Sequence, residues 1–298
     1  MLDNILDIQS ISKSFGNVHA LQNVSLQIKR GSVFGILGPN GSGKTTLLSI
    51  VLGVNHQNEG AFSWFGGETA EEGRKKTGAL LETPNFYHYL SGFENLRIAA
   101  RIKEKKNTDL DAILNTVGLY DRKDSIFSGY SLGMKQRLAI GSALIGNPEV
   151  LVLDEPTNGL DPAGIAEVRE LIMSLYNQGK TIILASHLLD EVEKVCTEVA
   201  ILKNGKVLEQ GSVGNALTTG SSLQIAAKDI EQLKSVLSGY PGIKSIQVEK
   251  NLLNINHDGS IKAADLNKYL SQQCIYLSQL TEKKKNLESI FIELTKNN

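Results

Sequence analysis

Gly38-Pro39-Asn40-Gly41-Ser42-Gly43-Lys44-Thr45 matches the pattern G-x-x-x-x-G-K-[ST] at every defined position. An apolar run, Val33-Phe34-Gly35-Ile36-Leu37, leads into it, and Thr46-Leu47-Leu48-Ser49-Ile50 leads out. The run predicts a buried strand and the exit a helix, the strand–loop–helix setting that this loop needs. Glycines there let backbone N–H groups converge on phosphate oxygens, and the helix N-terminus adds partial positive charge. Lys44 is placed to reach the β- and γ-phosphates, and the Thr45 hydroxyl to ligate Mg²⁺.

The surrounding texture agrees with a nucleotide-binding α/β protein. Leu6 to Ile28 reads as strands broken at Phe15-Gly16-Asn17 and ending at Lys29-Arg30-Gly31, and Ala61 to Leu81 reads as a second strand-rich stretch. From Ser91 to about Asn147 helical spacing takes over, with Lys103-Glu104-Lys105-Lys106 as a solvated charged surface. Then comes the apolar strand Val150-Leu151-Val152-Leu153, a helix from about Ala163 to Gln178, and the strand Thr181-Ile182-Ile183-Leu184-Ala185. Continuous apolar strands alternating with helices predict a parallel sheet covered on both faces. Residues 1–210 form this domain, 211–222 a polar linker, and 223–298 a small strand–helix–strand–strand–helix–strand unit with a closing helix.

Bulk properties bound the function. The 298 residues carry 31 Lys and Arg against 32 Asp and Glu, a net charge of −1, without the basic bias of a nucleic-acid footprint. The two cysteines, Cys196 and Cys274, stand apart, as expected for reduced thiols in the cytosol. No apolar run approaches the ~20 residues that span a bilayer, and the start of the chain carries no signal-peptide pattern. Work at a membrane would therefore have to go through a partner.

A phosphate loop alone leaves kinase, GTPase, helicase and transporter readings open. Further elements narrow the choice. The strand ending at Asp154 places a carboxylate beside Thr45 for the metal. Glu155 follows at once, where it can polarise an attacking water. His187 comes just after a strand, at the sheet edge where ligands bind. The segment Tyr130-Ser131-Leu132-Gly133-Met134-Lys135-Gln136-Arg137 resembles the signature motif of ATP-binding-cassette ATPases, with Leu-Gly-Met where Gly-Gly-Gln is commonest. With Asp154-Glu155-Pro156-Thr157-Asn158-Gly159-Leu160-Asp161 and Ser186-His187, the resemblance covers about residues 5 to 210, with five motifs in family order.

The resemblance implies a P-loop NTPase fold: a RecA-like parallel sheet, N-terminal antiparallel strands and a helical signature subdomain at about 91–147. It implies Mg²⁺ and ATP as ligands, a transmembrane permease as partner, and a peripheral place on the inner face of the cell membrane through that permease. It also implies a head-to-tail pair of cassettes, each completing the other's site. Under it Phe15 stacks on adenine, the alternative being a core aromatic. Gly38, Pro39, Asn40, Gly41, Ser42, Gly43, Lys44, Thr45 and Thr46 hold phosphates and metal. Glu155 is the general base, and His187 contacts the γ-phosphate. Ser131 and Gly133 act in trans, and Asp161 communicates across the dimer.

Glu82 stands where the family usually has a metal-linked glutamine; the alternative is an inert surface carboxylate. Glu82-Thr83-Pro84 with following aromatics is similar to bacitracin- and lantibiotic-resistance cassettes, which implies export of a drug or peptide antibiotic. The tail, with Asn286-Leu287-Glu288-Ser289-Ile290-Phe291, resembles one appended to bacterial export cassettes and carries no chemistry of its own. The competing class is a soluble cassette ATPase acting on ribosomes or DNA. Such proteins usually carry two cassettes or a long coiled coil, and this chain carries one set of motifs and no sustained heptads.

Overall fold

The computed structural model describes residues 4–82, 85–213, 222–249, 251–258, 260–283, 287 and 291. The expected Thr83-Pro84 pair, the lysine run at 284–285 and most of the closing helix lie outside the described residues. The chain divides into two compact units, Met1–Val213 and Gly214–Asn298.

In the first unit, β1 (Asn4–Phe15) and β2 (Val18–Lys29) form a long hairpin. β4 (Glu59–Trp64) joins the other edge of β1, giving a three-stranded antiparallel sheet of order β2-β1-β4. A six-stranded sheet of order β5-β6-β7-β3-β8-β9 carries the rest. Its members are β3 (Val33–Leu37), β5 (Thr77–Leu80), β6 (Val150–Asp154), β7 (Thr181–Ser186), β8 (Glu198–Lys203) and β9 (Lys206–Ser212). The first five in spatial order run parallel, and β9 closes the edge antiparallel. Every residue of β3, β6 and β7 is buried, which explains their unbroken apolar sequences. One core runs from Ile8, Ile11 and Leu26 through Phe34, Leu47 and Trp64 to Val152 and Ile183.

Helices α1 (Lys44–Val51), α2 (Ala70–Lys75), α3 (Gly92–Ile102), α4 (Leu110–Thr116), α5 (Leu132–Leu144), α6 (Pro162–Asn177) and α7 (Leu189–Val195) connect these strands. Five begin on a capping side chain: Thr69, Ser91, Asp109, Ser131 and Asp161. The region expected to be strand-rich from Ala61 to Leu81 contains helix α2 between β4 and β5, a correction to the sequence reading. Its signal was a capping box, in which Thr69 accepts from Glu72 N–H and the Glu72 carboxylate accepts from Thr69 N–H. A second correction concerns the expected linker. β9 continues into it because Gly211 and Ser212 pair with Val199 and Glu198.

The second unit is a four-stranded antiparallel sheet of order β11-β12-β10-β13, built from β10 (Ser222–Ala227), β11 (Ile243–Glu249), β12 (Leu252–His257) and β13 (Leu277–Lys283). Helices α8 (Ile230–Leu237) and α9 (Ala263–Gln272) bury Leu233, Leu237, Leu266 and Leu270 against Leu223, Ile225, Leu253 and Ile255. Residues alternating with that core carry amides and hydroxyls. Gln224 donates to Asn254, Asn254 to Glu249, and Asn256 to the Ser245 hydroxyl.

Candidate nucleotide site

The site forms where parallel strands end. β3 delivers the loop Gly38–Thr45 and β6 delivers Asp154 and Glu155. β7 delivers His187, one residue beyond its end. Side chains from separate sequence segments therefore meet at one sheet edge.

Helix α1 starts at Gly43, whose φ of 106° is left-handed, and no side chain caps it. Its first N–H groups are thus left to a ligand. The loop has no room for larger residues: a Cβ on Gly38 would lie 2.2 Å from Leu202 O, and one on Gly43 2.5 Å from Ala20 O. Asn40, Gly41, Ser42, Gly43, Lys44, Thr45 and Thr46 line a cleft of about 480 Å³. Glu155 lines it too, with Val18, His19, Ala20, Gln22 and Asn204 on the hairpin side.

Lys44 is buried, and its ammonium donates to Gly38 O at 2.8 Å and to Pro39 O at 3.3 Å. It also lies 3.3 Å from Glu155 Oε1. His187 Nδ1 lies 2.8 Å from Glu155 Oε2, so in the tautomer that suits a carboxylate it donates its hydrogen there. The structure therefore suspends Glu155 between a cation and an imidazole. Its own backbone is left-handed at φ 48°, and its N–H donates to Ala185 O at 2.9 Å. That unusual conformation turns the chain sharply at the end of β6.

Thr45 Oγ1 donates to Asp154 Oδ2 at 2.7 Å. Burial pushes the Asp154 carboxyl above its ordinary value; Thr45 opposes this, while the charges of Glu155 and Glu82 add to it. Asp154 Oδ1 is buried without a hydrogen-bond partner, as is Ser42 Oγ. An orphaned carboxylate oxygen beside a threonine hydroxyl suits a hard, oxygen-seeking cation such as Mg²⁺. Glu82 follows β5, which pairs with β6 in parallel, so Glu82 comes out at the same sheet edge. It is exposed, with φ 57°.

Other expected site residues lie elsewhere within one chain. Phe15, at the tip of the β1–β2 hairpin, is 48% exposed, which removes the core-aromatic alternative; Lys13 Nζ sits 4.9 Å from its ring centre. Ser131 caps α5 by accepting from Met134 N–H at 3.2 Å. Its place is set by the preceding Tyr130, whose hydroxyl donates to Arg122 O at 2.7 Å. Gly133 faces Gly164 of α6, and Asp161 accepts from Gly164 N–H at 2.8 Å. Ser131, Gly133 and Asp161 do not line the phosphate-loop cleft of their own chain.

Sequence reasoning passed over His19, Gln22 and Asn204, which share the cleft. Asn204-Gly205 carried a readable signal. Asn-Gly between two strands is a strong mark of a tight hairpin, and φ values of 49° and 74° show the left-handed pair that it requires. Nothing in the sequence told that this turn would lie against the phosphate loop.

Comparison with known proteins gives the family. The family model described as ABC transporter matches residues 21–158. The bacitracin transport ATP-binding protein BcrA of Enterococcus faecalis is 30% identical over 99% of this chain and 97% of its own length. The lantibiotic transport ATP-binding protein SrtF of Streptococcus pyogenes is 38% identical over 68% of this chain and 89% of its own. Among solved structures, cbiO1 of Clostridium perfringens, part of the ABC transporter complex cbiONQ, aligns at a TM-score of 0.64 and 31% identity. That alignment covers 70% of this chain and 89% of cbiO1. The cassette MJ0796, in a dimeric post-hydrolysis state bound to ADP and Pi, aligns at 0.61 and 25% identity over 70% of this chain and 98% of its own. A phosphate loop facing a carboxylate pair, on a fold shared with these proteins, makes this chain a member of the ABC transporter family, the ATP-hydrolysing subunit of a transporter.

Proposed function

We propose that this chain powers export of a peptide antibiotic or similar drug through a separate transmembrane permease, and that the residues assembled above divide the work of hydrolysis. The substrate class is supported by likeness to the bacitracin and lantibiotic transport proteins, the first spanning nearly the whole chain. No helix among the described residues is long and apolar enough to cross a membrane, so the passage itself is assigned to the permease. A surface suited to that partner is the groove of Phe86, Tyr87, Asn95, Ile98, Ala99 and Ile102, where Tyr87 and Ile102 are 49% and 76% exposed. Held there, the chain sits on the inner face of the cell membrane. The unit after Gly214 is read as an accessory domain without chemistry.

One observation carries the catalytic assignment: Glu155 bridges Lys44 and His187 at the mouth of the phosphate loop. ATP entering the loop draws Lys44 onto its β- and γ-phosphates, which frees one carboxylate oxygen of Glu155. That oxygen accepts a proton as water attacks the γ-phosphorus, the bond to the ADP oxygen breaks, and ADP and phosphate leave. His187 holds the carboxylate in place and faces the γ-phosphate. Thr45, Asp154 and Glu82 would hold Mg²⁺, which supplies charge neutralisation on the phosphates. Phe15 offers an exposed ring face for adenine. Ser131 and Gly133, at the N-terminus of α5, have no nucleotide to meet in their own chain. A second cassette, docked head to tail, gives them one. Asp161, capping α6 beside them, lies on the same surface and would carry the signal between subunits.

The test is to trap the ATP-bound state with Glu155→Gln, tag the chain in its native cell, extract membranes in mild detergent and identify co-purifying proteins by mass spectrometry. The expected result is a polytopic membrane protein in near-equal amount, together with loss of resistance to a peptide antibiotic when the chain is deleted. Ribosomal proteins or nucleic acid without a membrane partner would overturn the reading.

A further inference from the structure

We infer that the Asn204-Gly205 turn and Gln22 form a clasp that sets the shape of the phosphate loop, which makes Gln22 a positioning residue for ATP affinity. The inference rests on the phosphate loop being the ATP site. A loop that aims successive N–H groups at a phosphate must turn its carbonyls outward, and each carbonyl then needs a partner elsewhere. Here those partners are identifiable. Gly38 O and Pro39 O are taken by Lys44, Pro39 O also accepts from Ser42 N–H, and Gly43 O is used within α1. Ser42 O is held from outside the loop: it accepts from Gly205 N–H at 3.0 Å.

The turn is itself fastened to β2 at two points. Gln22 N–H donates to Gly205 O at 2.8 Å, and the Gln22 side-chain amide donates to Asn204 O at 3.0 Å. The approach is too close for a side chain, since a Cβ on Gly205 would lie 2.6 Å from Ala20 O and 3.0 Å from the Leu21 Cα. Backbone atoms cannot swing aside as a flexible side chain can. A chain of hydrogen bonds thus runs from β2 through the β8–β9 turn into the middle of the phosphate loop. It crosses from the hairpin that carries Phe15 to the segment that holds the phosphates. Gln22 and Asn204 both line the cleft, so the clasp closes one wall of it. Gln22, Asn204 and Gly205 bond to one another and to Ser42 rather than to Asp154 or Glu155, so the clasp acts on binding more than on the hydrolytic step.

The experiment titrates ATP calorimetrically into the full-length chain and measures steady-state hydrolysis for Gln22→Met, Gly205→Ala, Lys44→Ala and Gly179→Ala. Gln22→Met keeps the side chain's length and removes the donor without adding charge to the cleft. It should raise the Kd for ATP about two- to tenfold, the size of one hydrogen bond lost. KM should rise in step and kcat stay within about twofold. Gly205→Ala should do at least as much. Gly179→Ala strains a left-handed glycine with open space around it, after α6, so it should lower Tm without moving Kd. Lys44→Ala should abolish binding. If Lys44→Ala binds ATP like the wild type, the loop is not the site and the clasp falls with it. If Lys44→Ala loses ATP while Gln22→Met and Gly205→Ala keep wild-type Kd, the clasp alone is wrong. A fall in kcat with Kd unmoved would also overturn it.

Discussion

The two units of this chain use apolar residues alike and polar ones differently. The second unit buries leucines and isoleucines between two helices and one sheet face, and places its amides and hydroxyls on alternating positions where they bond to one another. His257 is its single buried polar residue among those described. The first unit buries Ser42, Lys44, Gln136, Asp154, Thr157 and Ser186, and leaves Asp154 Oδ1 and Ser42 Oγ at the phosphate loop, with Glu68 Oε2 and Arg137 Nε away from it, without partners. Burying polar groups in this way costs stability, and the orphaned atoms beside the phosphate loop are those that a ligand there can satisfy. The contrast teaches where to look for chemistry: in the unit whose core contains unsatisfied polarity.

The largest effect that would sharpen this contrast comes from Glu155→Gln. It should lower ATP hydrolysis by about 10²–10⁴-fold while ATP binding persists, because the variant loses its proton acceptor and keeps its shape. Single-turnover assays beside equilibrium binding check this; near-normal turnover would remove Glu155 as general base. Next is Leu253→Ala in the second unit, expected to cost about 2–5 kcal/mol locally. Proteolysis and calorimetry should show that unit melting first, with the Kd for ATP unchanged. A parallel loss of nucleotide binding would break the comparison by making the second unit part of the site.

Asp154→Asn tests the cost of buried polarity directly. Since burial raises the Asp154 pKa in the folded state, the folded protein binds the proton more tightly than the unfolded chain does. Stability from this group is therefore lost as pH rises above the ordinary 3.8 through the raised value, and the penalty persists at neutral pH. The nucleotide-free variant should melt a few degrees higher than the parent at pH 7, by about 1 kcal/mol or less in equivalent stability, and the gap should narrow toward pH 4. Its hydrolysis should collapse. Equal melting temperatures across that range would mean that Asp154 carries no penalty. The smallest effect is expected from Glu82→Gln, which removes an exposed negative charge from the sheet edge beside Asp154. The Mg²⁺ concentration for half-maximal activity should rise two- to threefold, about half a kcal/mol for a solvent-screened charge. No shift would assign Glu82 to the solvated surface.

Much of this was legible in the residues. The loop Gly38–Thr45, the strand ending at Asp154-Glu155 and the signature segment at Ser131 are local patterns. Each depends on neighbours in the chain, so sequence alone determined the class of fold and the nucleotide chemistry, and it named the residues now proposed to carry it. β3, β6 and β7 were readable for the same reason, being apolar runs that only a doubly covered sheet can bury. Helix α2 could have been read from its Thr69–Glu72 capping box, but lay inside a stretch whose apolar residues suggested strands.

Tertiary structure decided what long-range pairing decides. His187 turned to Glu155 across 32 positions, Thr45 reached Asp154 across 109, and the side chain of Gln22 found Asn204 across 182. Such contacts follow from strand order in the sheet, which places chain-distant turns at one edge, and no periodicity along the chain records it. The orphaned oxygens belong to the same category. Whether a carboxylate is satisfied depends on every group packed around it, and that neighbourhood exists only once the chain has folded.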